Sequence, residues 1–178
     1  MVTEDQVKEI MGQTPGLETA PELLLLAKAI EHVKPDNAAE IGCLYGLSSS
    51  VLMEAMGDRG ELYSVDNFCV QGEDAKRFMT TITMPKYPRI HLIEADSKKA
   101  GYEFEEKLDF LFIDGNHQDE GILNDLKYWV PKVRSGGLVA FHDYFNNDFP
   151  AISRRVSESC SMWKTWGMVD SLLIMIVP

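Results

Sequence analysis

The strongest constraint on the fold of this chain is a regular alternation of short apolar runs with segments that have helical spacing. The strand-like runs are 38–43, 61–65, 90–93, 108–113 and 138–141, and Ser135-Gly136-Gly137 is predicted to form the turn before the last of them. Strands that alternate with helices build a parallel sheet with helices on both faces. We therefore expect an α/β protein with a single Rossmann-like domain across 1–178.

The two ends of the chain add helices and a hairpin to this pattern. Residues 1–11 have the spacing of a short amphipathic helix, and Thr19-Ala20-Pro21-Glu22 is typical of a capping box that starts a second helix ending near Pro35. The runs 163–168 and 171–177 are strand-like and separated by a short turn region, which predicts a terminal antiparallel hairpin.

Charge and cysteine content restrict the partners of the chain. The net charge of −11 disfavours binding to nucleic acid or to an anionic membrane surface. The most apolar runs, 23–27 and 172–177, are much shorter than the ~20 residues of a membrane-spanning helix. The three cysteines have no CxxC spacing, which is typical of a reducing compartment. We expect a cytoplasmic protein with a small-molecule partner, and a homo-oligomer remains open.

Polar residues follow nearly every predicted strand, at the edge of a parallel sheet where ligands bind. The segments are Glu40 to Gly46, Asp66-Asn67, Asp96-Ser97, Asp114-Gly115 and His142-Asp143-Tyr144. Gly42 and Gly46 allow a ligand close to the backbone and to a helix N-terminus, but their spacing is not the GxGxxG of a dinucleotide site. Asp66 is placed to accept two ribose hydroxyls. Packing of a tight turn and simple helix capping remain the alternatives for the glycines, Asp66 and Asp96.

Two blocks of sequence resemble a known family. The Glu-x-Gly-x-x-x-Gly turn at 40–46 resembles motif I of class I methyltransferases. The block 113–117, followed by Asp125, Trp129, Gly136-Gly137 and 141–144, resembles methyltransferase family 24, whose relatives include cephalosporin-biosynthesis and catechol-type O-methyltransferases. The resemblance covers about residues 17–145. It implies a seven-stranded, mostly parallel sheet with a C-terminal antiparallel hairpin, S-adenosylmethionine as cofactor, and methyl transfer to a small-molecule hydroxyl oxygen.

The resemblance also implies roles for particular residues in cofactor binding. The implied cofactor-binding residues are Glu40, Gly42 and Gly46 for the methionine moiety, Asp66 for the ribose, Asn67 or Phe68 beside the adenine, Asp96 and Ser97 at the adenine edge, and Asp114 at the sulfonium end. The N-terminal helices of 1–34 would form part of the lid over the acceptor.

A divalent metal site is predicted at the same edge. Asp114, His142 and Asp143 would hold the ion, with Mg²⁺ favoured by the carboxylates. His142 departs from an all-oxygen set and leaves open Mn²⁺, Fe²⁺ or Zn²⁺, or a histidine that only contacts substrate. His117 lies three residues after Asp114, the offset at which catechol-type relatives carry a lysine base, so Asp114, His117 and His142 are the candidate catalytic residues. A structural hydrogen-bond network among them is the alternative.

Three other functions remain open at this point. An NAD-type oxidoreductase would use the same sheet, although the glycine spacing disfavours it. A non-catalytic nucleotide-binding module and a hydroxylase or hydrolase at the metal edge are the others. The sequence leaves undecided the acceptor, O- against N-methylation, and the need for a metal.

Overall fold

A computed structural model describes residues 1–70 and 72–178, and its centre is a seven-stranded sheet. The strands are β1 (Asn37–Ile41), β2 (Glu61–Asp66), β3 (Ile90–Glu94), β4 (Leu108–Ile113), β5 (Val133–Phe141), β6 (Lys164–Val169) and β7 (Leu172–Ile176), in the spatial order β3-β2-β1-β4-β5-β7-β6. The first five strands are parallel, and β7 pairs antiparallel with both β5 and β6. The predicted Rossmann-like sheet with a C-terminal antiparallel hairpin is confirmed.

Helices connect the strands and cover both faces of this sheet. They are α1 (Glu4–Gln13), α2 (Ala20–Val33), α3 (Leu47–Met56), α4 (Gly72–Phe78), α5 (Met84–Lys86), α6 (Ser97–Glu103), α7 (Asp119–Tyr128) and α8 (Pro150–Cys160). A π-helical turn, Met79–Thr83, joins α4 to α5, and a 3₁₀ turn, Val130–Lys132, follows α7. Within the described ranges, every helix is too short or too polar to cross a bilayer.

Alternation along β4 shows how the two faces of the sheet are filled. Phe110 and Phe112 pack into a core layer with side chains of α1, α2 and α3, whereas Leu111 and Ile113 pack into a second layer with side chains of α6, α7 and α8. Successive strand residues point to opposite faces, and a parallel sheet covered on both sides is mostly apolar on both faces. The apolar run 110–113 of β4 follows from this burial.

The predicted turn at Ser135-Gly136-Gly137 is wrong, because these residues lie inside β5. The strand begins at Val133, and its pairing with β4 shifts register between Leu108 and Phe110. Gly136 has φ +77°, and a Cβ on Gly137 would lie 2.8 Å from the carbonyl oxygen of Asp109. The two glycines therefore form a bulge within the strand rather than a turn before it.

Candidate functional site

The glycine turn 42–46, which follows β1, packs against the end of β4. Gly42 has φ +87°, and a Cβ there would lie 2.2 Å from the carbonyl oxygen of Asp114. Gly46 has φ +88° and caps α3, and a Cβ there would lie 2.6 Å from Met79 Sδ. Only glycine tolerates both the backbone conformation and the contact at these two positions. The predicted turn and the predicted Asp114 thus meet at one edge of the sheet.

Asp66, at the end of β2, holds this turn through its carboxylate. Its Oδ2 accepts hydrogen bonds from the backbone N–H of Cys43 (3.0 Å) and Leu44 (2.9 Å), and its Oδ1 accepts one from the N–H of Phe68 (2.7 Å). A carboxylate has about four lone-pair positions, so capacity remains for a ligand hydroxyl. Asp66 therefore shapes the loop in addition to any contact with a cofactor.

Glu40 lies beneath the turn and is fully buried. Its Oε2 accepts hydrogen bonds from Ser49 Oγ (2.5 Å) and Ser64 Oγ (3.0 Å), whereas its Oε1 has no partner. Burial raises the pKa of Glu40 to about 7, despite the opposing effect of the serine hydroxyls. This carboxyl group supports the turn from inside rather than facing the solvent.

The residues predicted to contact the adenine lie in different environments: one is buried, one is exposed and one caps a helix. Phe68 has φ +51° and only 6% exposure, and it packs in the core layer of α1, α2 and α3. Asn67 is exposed and accepts a hydrogen bond from the N–H of Cys69 (3.0 Å). Asp96 is the N-cap of α6 and accepts from the N–H of Lys98 (3.0 Å), next to Ser97. Capping thus accounts for Asp96 without a ligand, and its adenine role stays a prediction.

Four predicted side chains converge beyond the ends of β4 and β5. Asp114 Oδ1 lies 3.1 Å from His142 Nδ1 and 3.3 Å from His117 Nε2. Asp143 Oδ2 lies 3.5 Å from His142 Nδ1 and 3.7 Å from His117 Nε2. One ligand atom each from Asp114, His117 and Asp143 can be chosen so that all lie within 4.8 Å of one another. Two carboxylates and two imidazoles therefore share one small volume.

This cluster attracts positive charge. Burial would raise the pKa of Asp114, but contacts with His117 and His142 lower it below its ordinary value. Burial would lower the pKa of His142, but Asp114 and Glu22 raise it to about 11. A proton or a metal ion is the cation that such an arrangement favours.

Backbone strain is concentrated at the same edge. Five non-glycine residues in the described ranges have positive φ, and three of them, Leu44 (+47°), Phe68 (+51°) and Asp143 (+55°), lie in loops after β1, β2 and β5. Such conformations cost on the order of 1–3 kcal/mol and persist where the surroundings enforce them, often at functional sites. The strained residues are therefore concentrated at the carboxyl edge of the sheet, as is common at functional sites.

Two buried glutamates belong to this site although sequence reasoning did not assign them to it. Glu22 was expected only in a capping box, yet its Oε2 lies 3.3 Å from His142 Nε2. Glu18 is 8% exposed, and burial together with the charge of Asp114 raises its pKa. The signal for Glu22 was present as a glutamate near an apolar helical face, but its partner is 120 residues away in sequence.

This sheet, with a glycine turn after its first strand and polar side chains at neighbouring strand ends, defines a Rossmann-like cofactor-binding protein. The chain belongs to the methyltransferase domain family known as methyltransferase family 24, whose model matches residues 39–144. The family predicted from sequence, methyltransferase family 24, is therefore confirmed.

Individual relatives are more distant. An uncharacterized protein of Acanthamoeba polyphaga mimivirus is 28% identical, with a match that covers 59% of this chain and 50% of the viral protein. The matched part thus spans about half the length of that relative.

Solved structures share the fold over nearly the whole chain. The SAH-bound methyltransferase PaMTH1 of Podospora anserina aligns with a TM-score of 0.73 at 15% identity, over 98% of this chain and 86% of the other. The O-methyltransferase from Bacillus cereus in complex with SAH aligns with a TM-score of 0.71 at 16% identity, over 99% and 92%. At these identities the likeness establishes the fold.

Proposed function

We propose that the protein transfers the methyl group of S-adenosylmethionine to a hydroxyl oxygen of a small molecule. The observation that carries this proposal is the Gly42–Gly46 turn, fixed by Asp66 and packed against Asp114, in a chain of the methyltransferase family. The bound SAH of the Podospora and Bacillus proteins supports the same cofactor here.

The cofactor roles follow the order of the strand ends. The Gly42–Gly46 backbone, supported by Glu40, holds the methionine moiety, and the free lone pairs of Asp66 accept ribose hydroxyls. Asn67 or Phe68 flanks the adenine, Asp96 and Ser97 contact its edge, and Asp114 faces the sulfonium end.

A divalent ion fits the donor set beyond β4 and β5. His142 is 7% exposed, and its Nδ1 has no hydrogen-bond partner although it lies 3.1 Å from Asp114 Oδ1 and 3.5 Å from Asp143 Oδ2. Asp114, His142 and Asp143 would hold the ion, either Mg²⁺ or a transition ion. When bound, the ion lowers the pKa of an acceptor hydroxyl and orients it.

The protein's main contribution to an in-line displacement is alignment of acceptor, methyl and sulfur. The imidazole of His117 is the base that accepts the hydroxyl proton as the methyl group moves: its Nε2–H donates to Asp114 Oδ1 (3.3 Å), which leaves Nδ1 to take the proton. The ring of His117 contacts Phe149, with centroids 4.4 Å apart, which fixes its plane beside the site. The helices of 1–34 form part of the lid, since Glu18 and Glu22 reach the cluster.

The decisive experiment measures S-adenosylhomocysteine formation with a panel of hydroxylated and amine acceptors, with and without a chelator. A hydroxylated acceptor that gives product supports the proposal, and loss of turnover with chelator supports the metal. Binding of NAD in place of S-adenosylmethionine would contradict the proposal. A cytoplasmic location, as inferred from the cysteines, is proposed with it; Cys43, Cys69 and Cys160 are all free.

A further inference from the structure

A buried carboxylate on the opposite side of His142 holds neither the metal nor the cofactor in the proposed function. Glu22 is 2% exposed, and its Oε2 lies 3.3 Å from His142 Nε2. Its Oε1 accepts hydrogen bonds from the N–H (3.0 Å) and the Oγ (2.7 Å) of Ser171, in the turn between β6 and β7. The N–H of Thr19 also donates to Oε2 (2.9 Å). Two segments of the chain, at Thr19 and at Ser171, thus fix the carboxylate where it can accept the Nε2 proton of His142.

The other ring nitrogen of His142 is left without a hydrogen bond. Nδ1 lies 3.1 Å from Asp114 Oδ1 and 3.5 Å from Asp143 Oδ2, but it is buried and has no hydrogen-bond partner among the described residues. A histidine that binds a metal through one nitrogen donates the other N–H to a carboxylate or carbonyl, which fixes the tautomer and the ring orientation. The pair of Glu22 and His142 has this arrangement.

We propose that Glu22 is a positioning residue that makes His142 Nδ1 a metal ligand, so that the site prefers Mn²⁺ or a similar transition ion to Mg²⁺. This inference rests on the metal site of the proposed function. Imidazole nitrogen suits transition ions such as Fe²⁺ and Zn²⁺, and Mn²⁺ lies at the weak end of the same first-row series, whereas Mg²⁺ favours oxygen ligands and retained water. A site of two carboxylates and one fixed imidazole therefore discriminates against Mg²⁺.

The test compares ion binding in the full chain after removal of metals, with S-adenosylhomocysteine present. Mn²⁺ binding is followed by the loss of the free-ion electron paramagnetic resonance signal, and Mg²⁺ is added as competitor. Glu22→Gln keeps an acceptor oxygen but removes the charge, and we expect it to weaken Mn²⁺ binding about 10–100-fold. Glu31→Gln is the matched control, because Glu31 lies on the same helix and accepts a hydrogen bond from the N–H of Val2 away from the site.

A second measurement needs no variant. In the protein loaded with diamagnetic Zn²⁺, long-range ¹H–¹⁵N correlation spectra should show His142 with Zn²⁺ at Nδ1 and a proton at Nε2. A ring with both nitrogens protonated, or with the ion at Nε2, overturns the proposal even if Glu22→Gln does not fold.

The remaining outcomes separate this inference from the function on which it rests. Equal affinity for Mn²⁺ and Mg²⁺, or unchanged Mn²⁺ affinity in Glu22→Gln, overturns the role of Glu22. If the wild-type chain binds neither ion but still binds S-adenosylhomocysteine, the inference and the metal site fail while methyl transfer stands. If S-adenosylhomocysteine does not bind either, the proposed function itself fails.

Discussion

At the scale of single residues, Asp66 holds the glycine turn, and the ribose contact proposed for it would be a second task of the same carboxylate. A ribose contact and a loop cap were alternatives, yet three backbone N–H groups already donate to its carboxylate. Hydrogen bonds to a charged group contribute roughly 1.5–3 kcal/mol, so the loop depends on this side chain before any cofactor binds. Substitution should therefore affect both the stability of the free protein and cofactor affinity.

Asp66→Ala should weaken S-adenosylhomocysteine binding by about 1.5–3 kcal/mol, since the variant loses ribose hydrogen bonds and the preformed turn. Isothermal titration calorimetry measures this, and Asp66→Asn is the matched control because it keeps one acceptor oxygen and most of the shape. Unchanged affinity in Asp66→Ala would remove the residue from the cofactor site.

His117 is the residue whose role most needs a kinetic test. If it is the base, His117→Gln should lower kcat about 10²–10⁴-fold and remove a limb of the pH–rate profile, with little change in S-adenosylhomocysteine affinity. His91→Gln is the control, because His91 lies on β3 and pairs with Glu61 (2.6 Å) outside the cluster. If metal affinity falls instead, His117 is a ligand together with Asp114 and Asp143, which its distances also allow.

Asp125, on α7, should make stability depend on pH. It is fully buried, neither oxygen has a hydrogen-bond partner in the part of the chain that the structure describes, and burial raises its pKa from 3.8 to about 7. In the unfolded chain this group ionises near its ordinary pKa, so its contribution to the free energy of unfolding is complete below about pH 4. That contribution is lost as the pH rises to about 7, at about 1.4 kcal/mol per unit of displacement.

Asp125→Asn should therefore flatten the stability profile and exceed the wild type in free energy of unfolding above pH 7. Urea denaturation between pH 4 and 8 measures the difference, with the exposed Asp58→Asn as control. The variant should retain part of the slope, because burial also raises the pKa of Glu40 to about 7. Parallel profiles for wild type and Asp125→Asn would contradict the assignment.

At the scale of elements, the sequence was sufficient to predict the strands and helices that local residue patterns determine. β4 matches the predicted 108–113, because a mostly apolar run is typical of a strand in a parallel sheet that is covered on both faces. The helical segment from Gly72 to Lys86 is interrupted by the π-helical turn, where Thr80 Oγ1 donates to the carbonyl of Lys76 (2.9 Å) and competes with the helical ladder.

Elements that depend on distant partners were harder to predict. Helix α8 was not assigned, although Ile152, Val156 and Cys160 recur at four-residue spacing. Its docking on α7 uses ion pairs of Arg154 and Arg155 with Asp119, which no local pattern contains. The same holds for the site. The residues at the strand ends could be predicted from the topology of a parallel sheet, whereas Glu18 and Glu22 could be assigned only from tertiary contacts.

The glycine turn gives a prediction at this scale. Gly46→Ala should destabilise the protein by on the order of 1–3 kcal/mol. Alanine is strained at φ +88°, and its Cβ would also clash with Met79 of the π-helical turn. Gly12→Ala is the matched control: Gly12 lies in α1 with nothing within 4 Å of the added Cβ, so a gain of roughly 0.5–1 kcal/mol is expected. Chemical denaturation measures both; a tolerated Gly46→Ala would mean that the turn rearranges freely.

At the scale of the whole molecule, the start of α2 and the turn between β6 and β7 meet beside the site. Thr19 Oγ1 donates to Asp170 (2.7 Å), and Glu22 accepts from Ser171 while contacting His142. The N-terminal helices and the terminal hairpin therefore form one wall of the cluster of Asp114, His117, His142 and Asp143. A ligand at the cluster should stabilise this wall as well as the glycine turn.

Saturating S-adenosylhomocysteine should raise the melting temperature of the protein. A ligand at 100 times its Kd that binds only the folded state adds about 2.7 kcal/mol, which for a domain of this size is a shift of roughly 5–10 °C. Hydrogen exchange should slow at the glycine turn, 42–46, and at the wall segment, 14–22, and stay unchanged at 156–160, the end of α8 away from Phe149. Asp66→Ala and NAD serve as the variant and ligand controls, and neither should reproduce the shift. Protection confined to the glycine turn, with the wall unchanged, would mean that the N-terminal helices are not part of the lid, even though the cofactor binds.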